Sequence, residues 1–153
     1  PGPTSYETPT VAVFCVERTD DGVRFVGAQE SELATVRCKL DNEIKLAVIN
    51  PDAKLRYAAF VGIADDNSVY WYGPSPAAAG AKEVPTTTEL TPVGESIRLG
   101  VNHKPGTVRV MGVFSEEPMD FERLKGWARE LGPSAWSTAP NGVIVRQTFE
   151  VEP

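Results

Sequence analysis

A chain of 153 residues can bury roughly two-thirds of the surface its unfolded form exposes, and 41% hydrophobic with 24% charged residues places it among globular domains. Its formal net charge of -6 speaks against the clustered Lys/Arg that a nucleic-acid groove or a polybasic membrane patch requires. No apolar run approaches the roughly 20 residues that cross a bilayer as a helix, so neither nucleic-acid binding nor direct membrane insertion is expected of this sequence.

The opening residues, PGPTSYETP, read as a linker or tag remnant over 1–9, with a single domain expected over 10–153. The sequence is expected to be a mature or excised piece whose anchor or signal has been removed. Residues 10–18 (TVAVFCVER) form an apolar, β-branched run and predict a strand. Asp21-Gly22 is placed to close a hairpin onto a short return strand at 23–26. Residues 33–40 alternate, with Ala34, Val36, Cys38 and Leu40 on one face and Thr35, Arg37 and Lys39 on the other, the period of a strand with one wet side. Residues 44–49 (IKLAVI) are the next strand.

The stretch 55–64 (LRYAAFVGIA) is apolar almost throughout, as a central strand covered on both faces would be. Asp65-Asp66-Asn67-Ser68 turns the chain, since Asp and Asn tolerate left-handed backbone and bond their own main chain. Val69 to Tyr72 is its partner strand. Residues 73–91, rich in Pro, Ala, Gly and Thr, read as a long surface loop with room for one short edge strand. Strands are predicted over 95–101, 107–114 and 142–151, with a turn around His103 between the first two. One helix stands out at about 120–131: Asp120 is the N-cap, Phe121, Leu124, Trp127, Ala128 and Leu131 share a face, and Gly132-Pro133 stops it. Short turns between consecutive strands favour antiparallel pairing. The expected fold is mainly β, an antiparallel β-sandwich (Ig-like, Greek key) of about eight strands with that one late helix.

Little in the sequence carries catalytic chemistry. The single histidine, His103, sits in an Asn-His-Lys-Pro-Gly turn and reads as an exposed turn residue, and no GxSxG motif stands near to make a triad. One His and two distant Cys do not form a zinc set, and Asp65-Asp66-Asn67 lacks the Gly and distal Glu of a calcium loop. Glu116 and Glu117 are adjacent and point apart on an extended segment. No enzyme activity, metal or cofactor is expected. Cys15 and Cys38 both lie in strand-like runs; two readings stand, a disulfide between neighbouring strands in an oxidising compartment or two buried thiols packed as small hydrophobes. Tyr70-Trp71-Tyr72 is the one aromatic constellation. On a strand the two tyrosines share a face and the tryptophan takes the other, so one side serves the core and the other a loop or a ligand such as a sugar ring.

Two stretches carry a resemblance. The segment YAAFVGIADDNS followed by VYWYGP and a Pro/Ala/Gly-rich loop, and the later VMGVFSEEPMDFERL, resemble the DUF4384-like domains of unknown function from myxobacterial and other deltaproteobacterial proteins. The resemblance covers residues 44–151, and it rests on the order of the elements rather than on one diagnostic motif. It implies an accessory, non-catalytic binding or sensing module of a larger envelope-associated protein, engaging a protein partner. A carbohydrate-binding module using Tyr70, Trp71 and Tyr72 is the alternative. The implied location is extracytoplasmic, periplasmic or outer-surface, with the cytoplasm as the alternative.

Overall fold

The computed structural model describes residues 9–28, 35–73, 82–84, 86–117 and 142–153. The helix expected at about 120–131 lies outside the described residues, as does the linker up to residue 8; Pro9 is buried. The described chain is mainly β. Strands β1 (Thr10–Thr19), β2 (Gly22–Ala28), β4 (Glu43–Asn50) and β8 (Thr87–Arg98) form a four-stranded sheet in the order β2-β1-β4-β8. Strands β3 (Val36–Lys39), β10 (Gly142–Glu152), β9 (Gly106–Ser115), β5 (Tyr57–Ala64) and β6 (Val69–Gly73) form a second sheet in that order, with the two-residue β7 (Lys82–Glu83) also paired to β5.

Each strand follows from its residues. The alternation read at β3 holds: Val36 and Cys38 are buried, while Arg37 and Lys39 are exposed. Strand β5 lies between β9 and β6, and its six central residues are all buried. The β5–β6 turn uses Asn67 at φ 68°, the left-handed conformation its short amide tolerates. The first hairpin differs slightly from expectation. Its two-residue loop is Asp20-Asp21, and Gly22 opens β2 opposite Thr19.

Three larger differences emerge. Among the described residues all pairings are antiparallel except β3 with β10, which run parallel. Chain continuity does not pair these two strands; the apolar faces of Val36–Cys38 and Phe149–Val151 do, at a distance no turn signal reports. Strand β8 begins at Thr87 rather than at 95, inside the segment read as loop. Pro92 there lies opposite Ala47, which is permitted because an edge strand needs no N–H on its free side. Finally, the hairpin β1–β2 carries a bulge: Cys15 pairs with Gly27 and Val16 with Phe25, so Val26 is an extra residue.

The two sheets share one apolar core. Val11, Val13, Ile44, Leu46 and Val48 from the four-stranded sheet cluster with Phe60, Val108, Val110, Phe114, Phe149 and Val151 from the other. Burying side chains of this kind contributes roughly 1.5–3 kcal/mol each. A disulfide joins Cys15 on β1 to Cys38 on β3, so a covalent link crosses between the sheets at one edge. Of the two readings of this pair, the structure takes the cross-link.

Candidate functional site

Strand β6 places the aromatic triplet as its alternation demands, modified by one irregularity. Phe60 pairs with Gly73 and Val61 with Trp71, so Tyr72 is the extra residue of a bulge. Tyr70 and Tyr72 point into the shared core and are only 8% exposed. Trp71 takes the opposite face of the sheet, half-buried beside Val61, Ile63, Met111, Val69 and Ile144. The expected division of faces is observed, and the two tyrosines are not offered to solvent. A sugar platform would rest on Trp71 alone.

The surprise is what packs against the two tyrosines. His103, expected as an exposed turn residue, is 6% exposed. After β8 the chain makes one 3-10 turn, Leu99–Val101, and the His103 N–H donates to the Leu99 carbonyl at 3.0 Å. That backbone bond folds the imidazole inward, although its neighbour Lys104 stays exposed. The ring stacks on Tyr70 with centroids 3.9 Å apart and planes 20° off parallel. Its Nε2 and the Tyr72 hydroxyl share a hydrogen bond of 2.7 Å. Phe149 closes the other side at 6.4 Å between centroids.

Space for this stack comes from Gly62 on β5, where a β-carbon would lie 2.5 Å from the Tyr72 ring. Burial alone pushes the imidazole down to about 4, so the ring is neutral at physiological pH. The Tyr72 hydroxyl is pushed well up by burial, with a smaller contribution from Tyr70. Neither group is primed as a base. The Nδ1 atom of His103 is buried and has no hydrogen-bond partner among the described residues.

A second feature was not singled out in the sequence. Strand β2 forms one edge of the four-stranded sheet, and three of its apolar side chains are solvent-facing: Phe25 is 68% exposed, with Val23 and Val26 also exposed. Phe25 packs edge-on against Phe14 of β1 at 5.5 Å, giving an aromatic pair at the rim. The only charged side chain of β2, Arg24, is held by Glu17 across the hairpin at 2.7 Å. The signal in sequence was weak: VRFV between two glycines is too short to distinguish a covered strand from an exposed one, and the decisive fact is its place at a sheet edge.

The other edges are protected in recognisable ways. Strand β3 has four residues and presents Arg37 and Lys39 to solvent. Strand β8 contains Pro92 and two register shifts. Strand β6 is short and bulged. Charges, proline, bulges and brevity are the usual means of keeping sheet edges from pairing. Strand β2 has one bulge and no lysine or proline.

Comparison with known proteins identifies no relative: no family model matches the chain, and neither does any curated protein or solved structure.

Proposed function

We propose that this chain is a non-catalytic accessory binding module of a larger, envelope-associated bacterial protein, and that it engages a protein partner along β2. The observation that carries this reading is the exposed Val23-Phe25-Val26 rim on a sheet edge that no other described strand covers. An extended partner segment adding antiparallel along that edge would satisfy its open backbone groups and cover Phe25 with an apolar side chain. The Glu17–Arg24 pair compensates the one charged side chain of β2.

A module without catalysis fits the fate of the reactive side chains. Both thiols are joined in the disulfide, and His103 is packed against both tyrosines. The same cross-link suits an oxidising compartment, which supports an extracytoplasmic location. Two sheets sharing one core, with hairpins at β1–β2 and β5–β6 and crossings between the sheets at β2–β3, β3–β4, β4–β5 and β8–β9, support the Ig-like, Greek-key sandwich. The kinship with DUF4384-like domains belongs to this same reading and is supported by the order of strand, polar turn and aromatic strand.

A photo-crosslinking residue at position 25, compared with one at the exposed Val143 on β10, tests the partner in the native host. Adducts confined to position 25 are expected. The partner identified from them should rebind the purified chain and bind Phe25→Lys at least about tenfold more weakly, a loss of ~1.4 kcal/mol. Equal adducts at both positions, or none, would overturn the reading. Thiol alkylation of intact cells reports the compartment: fully oxidised Cys15 and Cys38 are expected.

A further inference from the structure

The turn between β8 and β9 is fastened in an unusual way. Leu99 is fully buried, and its N–H donates to the Asn42 carbonyl at 3.2 Å, which fixes the start of the turn. Beyond it Gly100, Val101, Asn102, Lys104, Pro105 and Gly106 are all exposed, Val101 by 75%. Gly106, at φ 139°, holds a conformation that other residues rarely adopt. Between these glycines one side chain enters the core, His103. The other tie is a 3.8 Å ion pair between Lys104 and Asp66 on the β5–β6 turn, where both side chains are half or more exposed. Such a pair contributes little.

We propose that this turn is an acid-sensitive latch: with a neutral imidazole it closes over Tyr70 and Tyr72, and with a charged one it swings out and uncovers them. The reason lies in hydrogen-bond capacity. A neutral imidazole has one donor and one acceptor, and an imidazolium has two donors. The Tyr72 oxygen can accept from Nε2, but Nδ1 has no acceptor among the described residues. From β6 the ring faces Tyr70 and Tyr72, and from β10 it faces Phe149. Asp66, the nearby carboxylate, is engaged by the Ser68 N–H at 3.0 Å and by Lys104. No carboxylate of the described residues acts on the ring, and burial lowers its pKa to about 4. A charged ring in this place is a buried ion with an unmet donor, which is costly, and the segment that carries it has no other buried side chain to keep it closed.

The sign of the effect follows. The closed form binds a proton at about 4, while the open form binds one near the ordinary histidine value of 6.5. Opening is therefore insensitive to pH above 6.5, rises about tenfold per pH unit as pH falls toward 4, and levels off below. The accumulated shift is about 300-fold in the opening equilibrium. Acid thus exposes the aromatic face of β6, which neutral pH keeps covered.

Nuclear magnetic resonance on the full chain tests this. The His103 ring should titrate well below 6.5. Amide exchange, corrected for intrinsic rate, should accelerate about tenfold per pH unit at residues 100–104 while β5 and β9 stay protected. His103→Gln should remove the pH dependence of that exchange. A ring that titrates near 6.5 with the turn still protected would overturn the latch, as would simultaneous loss of protection in β5 and β9. Unchanged pH dependence in His103→Gln would overturn it too. Should that variant not fold, the wild-type exchange pattern decides the question by itself.

Discussion

A β-carbon placed on Gly62 would lie 2.5 Å from the ring and hydroxyl of Tyr72, so the bare backbone of β5 is what seats the aromatic of β6. That ring cannot simply turn away, because its hydroxyl is bonded to His103 and it stacks beside Tyr70. Gly62→Ala is therefore expected to destabilise the domain by roughly 1–3 kcal/mol, the usual range for overpacking a filled core. The same substitution on a Tyr72→Leu background should cost less, since the shorter side chain withdraws from the clash. Denaturant unfolding of the four proteins in the cycle measures the coupling. Strict additivity would show that Gly62 and Tyr72 do not touch in solution.

The legible part of this fold is the part written in local pattern. Val36 and Cys38 against Arg37 and Lys39 announced a strand with one wet side, and the structure buries the first pair and exposes the second. Asn67 announced a left-handed turn position and occupies one. What stayed hidden depends on neighbours far away in sequence. Pro92 marks a loop unless the strand is known to lie at an edge. His103 marks an exposed turn unless the backbone bond to Leu99 is known to fold it inward. The exposure of Phe25 goes with β2 having no partner on its outer side among the described residues, which seven residues of sequence cannot report. The candidate site was half visible: the alternation correctly separated the two tyrosines from Trp71, and the histidine that stacks on Tyr70 and bonds Tyr72 was assigned to the surface.

Glu43 supplies a second pH-dependent contribution. Arg18 forks onto its carboxylate, Nε to Oε2 at 2.8 Å and Nη2 to Oε1 at 3.0 Å. These hydrogen bonds hold Glu43 below the usual carboxylate range, against burial, which pushes it up. A depressed carboxylate stabilises the fold above its unfolded value of 4.5, and that contribution is lost as pH falls through the folded value. Glu43→Gln should therefore lower stability at pH 7 and flatten the acid limb below 4.5, leaving unchanged the region between 6.5 and 4.5 where His103 alone of the two titrates. Urea melts across pH 3–8 separate the two. An identical acid limb in wild type and Glu43→Gln would remove Glu43 from the account.

The contact between the sheets can be probed at Gly112 on β9. A β-carbon there would lie 2.8 Å from Cγ2 of Val11 on β1 and 3.0 Å from Cε2 of Phe114. The four-stranded sheet thus rests directly on the backbone of its neighbour. Gly112→Ala should cost about 1–3 kcal/mol by forcing the sheets apart. Pairing it with Val11→Ala should recover part of that loss, because the removed methyls vacate the volume the new one enters. Thermal melts of the single and double variants check this; a double variant with the summed losses would place the strain elsewhere.

The disulfide has a different role from the core contacts. Cys15 and Cys38 are 23 residues apart, and their link ties the edge strand β3 to a strand of the opposite sheet. Strand β3 has four residues and bonds one neighbour, β10, by a short parallel ladder, and a ladder that short holds poorly by itself. Closing a loop of this size in the unfolded chain is worth about 3 kcal/mol in the chain-entropy account. The double substitution Cys15→Ala/Cys38→Ala is expected to lose about that much in denaturant unfolding. Hydrogen exchange should then show the loss concentrated first in β3 and the facing amides of β10, before β5 and β9 open. A uniform fall in protection across both sheets would mean instead that the cross-link stabilises the whole fold through the unfolded state, with no special hold on its edge.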